Sequence, residues 1–249
     1  MIKKIKLKIK KFVDLRVRLL KDQQHKNHQI NFNYNQLSQL FSEDSFVPFS
    51  AWAMSPSTIL HVLNDISINK RKNIIEFGAG ASTFYIAKLL KTINSNAIFY
   101  SVESDKEWAV ELQRQLDLYE ISDFVKIIYA PLVKVSKDYA LNDQKTWYNT
   151  NILDQTLKNQ VEFDLILVDG PFGGSTPYAR YSAVPYLGKY INEKTSIYLD
   201  DIQRKDEAEI LVNWKKSLNF NVREIERYAC LKKEQNFDVT PFQLSNPLI

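Results

Sequence analysis

Between Asn73 and Leu90 the chain reads NIIEFGAGASTFYIAKLL, a short apolar run that ends in an acid, two glycines and a Ser-Thr pair before turning helical. The two-residue alternation stops after Phe77, and Phe84, Ala87 and Leu90 then recur at helical spacing. The segment therefore predicts a strand, a tight glycine turn and a helix N-terminus. In α/β proteins this handover from a parallel strand to its crossover helix is where nucleotides bind. Gly78 and Gly80 lack a Cβ, which lets the turn take unusual dihedrals and lets a ligand lie against backbone. Ser82 or Thr83 is placed to cap the helix.

Further strands follow in the same style. Ala97 to Val102 is apolar, ends in Glu103 and precedes a helical pattern from Lys106 to Leu116. An acid at that strand end can accept hydrogen bonds from both hydroxyls of a ribose, whether the nucleotide is NAD or adenosylmethionine. Val125 to Tyr129 reads as a third strand and Phe163 to Val168 as a fourth, buried on both faces. Between them lies an insertion carrying Tyr139, Trp147, Tyr148 and Asn149, with a helix near Ile152 to Leu157. The fourth strand runs into Asp169-Gly170-Pro171-Phe172-Gly173-Gly174, which holds three of the six glycines, and a fifth, Ser196 to Leu199, runs into Asp200-Asp201.

Neighbouring parallel strands open on one crevice, so Asp169, Asp200 and Asp201 are expected to converge there. Three carboxylates repel one another without a cation, and their hard oxygens suit Mg²⁺. Arg180 and Arg204 can neutralise them instead, or grip an anionic acceptor, while Tyr178 and Tyr181 flank the same mouth and can stack on a sugar or an aromatic ring. The structural alternatives are equally concrete: Asp201 capping the helix near Lys205, and Asp169 organising its glycine-rich turn. After Leu218, the segments Asn221 to Arg227, Tyr228 to Lys232 and Phe237 to Leu244 alternate like strands and predict an antiparallel edge.

Glu76 two residues ahead of the Gly78-x-Gly80 turn resembles motif I of the S-adenosylmethionine-dependent methyltransferases of the Rossmann-like class. The third glycine of a dinucleotide fingerprint is absent, its place taken by Ala81 to Phe84. The resemblance implies a cofactor set of Glu76, Gly78, Gly80, Ser82, Thr83 and Glu103, with Glu76 near the amino acid end of S-adenosylmethionine. The later acids resemble those of the metal-dependent O-methyltransferases of the catechol and macrocin types. That implies Asp169, Asp200 and Asp201 as ligands of Mg²⁺, with Asp169 or Asp200 taking a proton, and Arg180, Tyr178 and Tyr181 facing the substrate. The chain departs from the macrocin pattern in having Pro171-Phe172 where a histidine is expected. Its histidines, His25, His28 and His61, all precede the sheet, so that loop supplies no histidine base.

The resemblance covers residues 55 to 244 and implies an α/β, Rossmann-like fold: a mostly parallel seven-stranded sheet with an antiparallel C-terminal hairpin and helices on both faces. The function it implies is methylation of a hydroxyl on a small molecule or glycan. Two other readings stand beside it. One is a membrane- or partner-binding protein that keeps the fold without the chemistry; the other is a nicotinamide-dependent oxidoreductase, against which the missing glycine counts.

A 45% apolar composition over 249 residues suffices for a sizeable core, and the single cysteine, Cys230, excludes an intrachain disulfide. No apolar run approaches the roughly 18 residues of a membrane span, and no signal-peptide pattern follows the N-terminal lysines, so the expected location is cytoplasmic. Residues 1–28 carry ten Lys or Arg against Asp14 and Asp22, a net +8, leaving 23 basic and 27 acidic residues in the rest, a net −4. That mildly acidic body argues against nucleic acid as a partner. In the basic arm, Ile5, Ile9, Phe12, Val13, Arg16, Leu19 and Leu20 fall near one helical face while Lys3, Lys4, Lys6, Lys8, Lys10 and Lys11 crowd the others. This is the pattern of an interfacial helix, peripheral on an anionic membrane, or of a helix packing on the body or a second subunit. Residues 22–36 read as a linker. Residues 29–54 hold an aromatic segment, Phe46 to Trp52, that caps the core or folds over the site, and the main domain, 55–249, opens with the cap pair Ser55-Pro56.

Overall fold

The computed structural model describes residues 2–41, 45–233 and 237–244, with side chains from residue 6 onward. In chain order the elements are α1 (Ile2–Ser38), α2 (Pro56–Ile68), β1 (Asn73–Phe77), α3 (Ala81–Thr92), β2 (Ile98–Glu103), α4 (Lys106–Leu118), β3 (Lys126–Tyr129), β4 (Leu132–Lys134), β5 (Thr146–Tyr148), α5 (Thr150–Thr156), β6 (Leu165–Val168), α6 (Ala183–Leu187), β7 (Ser196–Leu199), α7 (Lys205–Leu218), β8 (Asn221–Ile225) and β9 (Tyr228–Lys232). Seven strands form one sheet in the order β3-β2-β1-β6-β7-β9-β8, parallel as far as β7 and antiparallel through β9 and β8; β4 and β5 pair separately. This is the expected Rossmann-like α/β sheet with its terminal hairpin.

Both faces of the sheet are covered, which is why its parallel strands are apolar throughout. Ile74, Leu165, Leu167 and Tyr198 pack against α2, α3 and α4, whereas Ile75, Phe77, Ile166, Val168, Ile197 and Leu199 pack against α5, α6 and α7. Chain order reverses between β1 and β6, and a sheet of this kind opens its ligand crevice at such a point. Register then fixes what faces the crevice. Val102, Phe77, Val168, Leu199 and Ala229 lie side by side across five strands, so Glu103, Gly78, Asp169 and Asp200 emerge together one residue later. On the antiparallel β9, Arg227 arrives from the other direction beside Asp201.

Two expectations are corrected. Residues 22–36 continue α1 rather than forming a linker. Their polarity conceals a buried face, because Gln29, Asn33 and Leu37 follow one another at four-residue spacing and are all buried. Asn33 donates to Ser57 Oγ on α2 (2.8 Å), and Gln29 donates to the Phe242 carbonyl (2.8 Å) and accepts from the Leu244 amide (2.7 Å). Buried amide side chains that find partners cost little, and composition cannot distinguish them from solvated ones. Phe237 to Leu244, expected as a strand, is instead an irregular strap lying back along α1 and α2, held at Asn64 by the Val239 carbonyl (3.1 Å). The end of the expected 55–249 domain, residues 245–249, lies outside the described residues, as do the side chains of Lys3, Lys4 and Ile5.

Candidate active site

The turn after β1 is held from every side except one. The Gly78 amide donates to the Val102 carbonyl (2.9 Å), and Trp108 on α4 donates through Nε1 to the Ala79 carbonyl (2.8 Å). Gly78 has φ +95°, and a Cβ there would sit 2.7 Å from the Gly170 nitrogen. The turns after β1 and β6 therefore touch backbone to backbone. Gly80 differs: a Cβ built on it meets nothing within 4 Å. The glycines thus divide the work, Gly78 closing the turn onto Gly170 and Gly80 leaving space above the N-terminus of α3.

Glu76 lies beneath this turn, fully buried. Thr83 (2.6 Å) and Ser101 (2.7 Å) donate hydroxyl hydrogen bonds to its Oε2, and Ser82 donates to its Oε1. Burial pushes its carboxyl up to about 7, against the opposing effect of the three hydroxyls. Through these bonds Glu76 ties α3 and β2 to the end of β1 and shapes the turn from below. Ser82 spends its hydroxyl on Glu76 and caps nothing. Thr83 serves both ends, also accepting from the amide of Gly80, the N-cap residue of α3 (2.9 Å).

Glu103 sits at the end of β2 as expected. Its Oε1 accepts from the amides of Ser104 (2.6 Å) and Asp105 (2.7 Å), and its Oε2 accepts a longer bond from Ala79 (3.3 Å). The carboxylate is thus aimed along the rim of the turn, with Oε2 lightly engaged. Open space above Gly80, a carboxylate preset at the neighbouring strand end and the N-terminus of α3 together fit a nucleoside with a polar tail, as S-adenosylmethionine has.

The second constellation also assembles: carboxylate oxygens of Asp169, Asp200 and Asp201 lie within 4.8 Å of one another. Their positive charge is protein-borne. Arg180, itself buried, pairs with Asp169 (2.9 Å) and Asp201 (3.1 Å), Arg227 pairs with Asp200 (3.0 Å) and Asp201, and Arg204 reaches Asp201 (2.9 Å). Asp200 is completely buried and also accepts from Thr58 (3.4 Å). Burial pushes its carboxyl up to about 6 although Arg227 opposes the shift, and burial raises Asp169 well above the carboxylate range against the pull of Arg180. The trio expected to hold Mg²⁺ is thus brought together, and Arg180 and Arg227 between them engage an oxygen of each of the three carboxylates. Arg180 thus neutralises carboxylates, the first of the two roles expected of it.

Tyr178 and Tyr181 are both half-buried. Tyr178 turns its hydroxyl to Glu209 on α7 (2.9 Å), and Tyr181 packs against the core, its carbonyl accepting from Trp214 (3.0 Å). The exposed rings at the mouth are Trp52 and Phe172, which meet edge to face at 5.1 Å between centroids. Within the aromatic segment, Val47 and Phe49 join the core as a cap would, while Trp52 meets the loop after β6. Sequence reasoning missed Arg227 and the proximity of Tyr148. Arg227 is recognisable only from the β7–β9 register, and a Gly170 Cβ would strike the hydroxyl of Tyr148.

The sequence matches no protein-family model and no functionally characterised relative. Solved structures do match. A candidate caffeoyl-CoA O-methyltransferase from Staphylococcus aureus aligns with 86% of this chain and 99% of its own at TM-score 0.56 and 15% identity. An O-methyltransferase from Bacillus cereus in complex with SAH covers 74% and 84% at TM-score 0.52 and 15% identity. A precorrin-6y C5,15-methyltransferase from Geobacter metallireducens covers 76% and 93% at TM-score 0.51 and 12% identity. The chain is similar to all three in architecture, and its fold is the Rossmann-like α/β fold of these methyltransferases.

Proposed function

We propose that this chain is an S-adenosylmethionine-dependent methyltransferase acting on a hydroxyl group of a small molecule or glycan. The observation that carries the reading is the crevice at the β1/β6 reversal, open above Gly80 and flanked by the preset Glu103 carboxylate. The solved structures named above support it, all three being methyltransferases and two of them O-methyltransferases. Bound on the turn, the cofactor supplies a sulfonium methyl group that an acceptor oxygen takes by in-line displacement, leaving adenosylhomocysteine. Glu103 would hold the ribose hydroxyls, and Gly78 to Gly80 would pass beneath the amino acid portion.

Asp169 is the member of the trio suited to take the acceptor's proton. It pairs with Arg180 alone and keeps 13% of its side chain exposed, whereas Asp200 is sealed and Asp201 has both oxygens in ion pairs. Arg180 fixes Asp169 at the mouth and balances charge there. Trp52 and Phe172 offer an apolar rim to the ring of an aromatic or sugar acceptor.

The test is transfer from methyl-labelled adenosylmethionine into hydroxyl-bearing fractions of a cell extract, with and without EDTA. A labelled methyl ether that forms equally in chelator is the expected product. Loss of transfer on chelation with recovery on adding Mg²⁺ would refute the arginine assignment. No labelled product from a protein that still binds adenosylhomocysteine would refute catalysis and favour a fold kept for binding.

A further inference from the structure

The N-terminal part of α1 takes no part in the site or the core. Every residue from 6 to 20 is exposed, and burial begins in earnest only at Gln29. Ile9, Phe12, Val13, Leu19 and Leu20 are 49–62% exposed. At 100° per residue they share an arc of about 120°, wide enough for an apolar face. Lys6 and Lys8 border the arc, with Val17 and Leu15 just beyond them, and Lys10, Lys11, Arg18 and Lys21 occupy the opposite side together with Leu7. Arg16 falls within it, with its guanidinium 5.2 Å over the Phe12 ring and a stem long enough to carry the charge to the edge. Among the described residues, no helix is long and apolar enough to cross a membrane.

From this we infer that the free part of α1 lies in the interface of an anionic lipid membrane, apolar arc inward and cations toward the headgroups. Charge selects this occupant over a second copy. Residues 1–28 carry +8, so pairing two copies would set like charges together with Arg16 at the seam, whereas an anionic surface neutralises them. An arc flanked by lysines is also the arrangement that an amphipathic helix lying flat on lipid requires. The inference is independent of methyl transfer, since it concerns no residue of the crevice.

The test is co-sedimentation of the full chain with vesicles of phosphatidylcholine alone or with phosphatidylserine added, at low and high salt. Binding is expected to the mixed vesicles and to weaken with salt. In the triple variant Lys8→Glu, Lys10→Glu, Lys11→Glu it will fall about a hundredfold. Phe12→Asp, which keeps all the cations, will lower it about tenfold by spoiling the inserted face. These positions are exposed, and helicity measured by circular dichroism checks that α1 persists. Equal binding to neutral vesicles, or an undiminished Phe12→Asp variant, overturns the interfacial reading. Absence of vesicle binding overturns it as well, and dimerisation that is lost in Phe12→Asp would then assign the arc to a second copy.

Discussion

Gly78→Ala will lower stability by about 3 kcal/mol or more and remove adenosylhomocysteine binding, while Gly80→Leu will remove the binding alone. The difference follows from where each Cβ would go. At Gly78 the backbone is left-handed, and the new atom would lie 2.7 Å from the Gly170 nitrogen and 3.0 Å from the Asp169 carbonyl carbon. Those are main-chain atoms that cannot rotate away, so the turns after β1 and β6 must separate. Separation disturbs Glu103 too, through the Ala79 amide. At Gly80, φ is −173° and the space is open, so leucine is accommodated and fills the volume assigned to the cofactor. Denaturation midpoints and ligand titrations of both variants check the pair. A stable Gly78→Ala protein, or a Gly80→Leu protein with unchanged affinity, would show that the turn is not arranged as described.

Arg180→Met will be the most damaging substitution at the mouth, costing about 3–5 kcal/mol at neutral pH because buried carboxylates lose their partner. Arg180 meets Asp169 at 2.9 Å, Asp201 at 3.1 Å and Glu207 at 3.8 Å. Arg204 can compensate Asp201 in part but is half exposed and forms no ion pair with Asp169. The deficit will shrink on acidification. Burial already raises the Asp169 carboxyl, and losing Arg180 removes the main opposing charge, so it rises further. A group raised in the folded state contributes most stability below its unfolded value and loses it as pH climbs through the window between the two. The variant should therefore approach the wild type toward pH 4 and fall behind toward pH 7. Chemical denaturation across that range measures it, and a deficit independent of pH would contradict the charge account.

Much of this arrangement was legible in the sequence because it depends on local signals. Asn73–Phe77 and Ser196–Leu199 are strands with the bounds that the apolar runs predicted, and the acids and glycines that terminate strands fall in one register row. The fifteen residues after Lys21 were misread because their buried polar face is satisfied outside the segment, Asn33 by Ser57 and Gln29 by Phe242 and Leu244 more than two hundred positions away. Arg227 was invisible for the same reason: only antiparallel pairing of β9 on β7 brings it to Asp200. Among the acids, a metal was therefore the only cation besides Arg180 and Arg204 that the sequence suggested. Whether opposing charge comes from a distant arginine or from an ion is a property of the folded sheet, not of any local pattern. The hydroxyl partners of Glu76 were not legible either, since a strand-end acid reads alike whether it faces ligand or hydroxyls.

Calorimetric titration of adenosylhomocysteine into the full-length protein tests the central claim most directly, because the crevice at the β1/β6 reversal must hold that nucleoside for any methyl transfer to occur. Saturable binding to one site is predicted, with unfolding stability rising by about 3 kcal/mol at a hundredfold excess over Kd. No heat of binding and no shift in unfolding, from protein that still unfolds cooperatively, would contradict it.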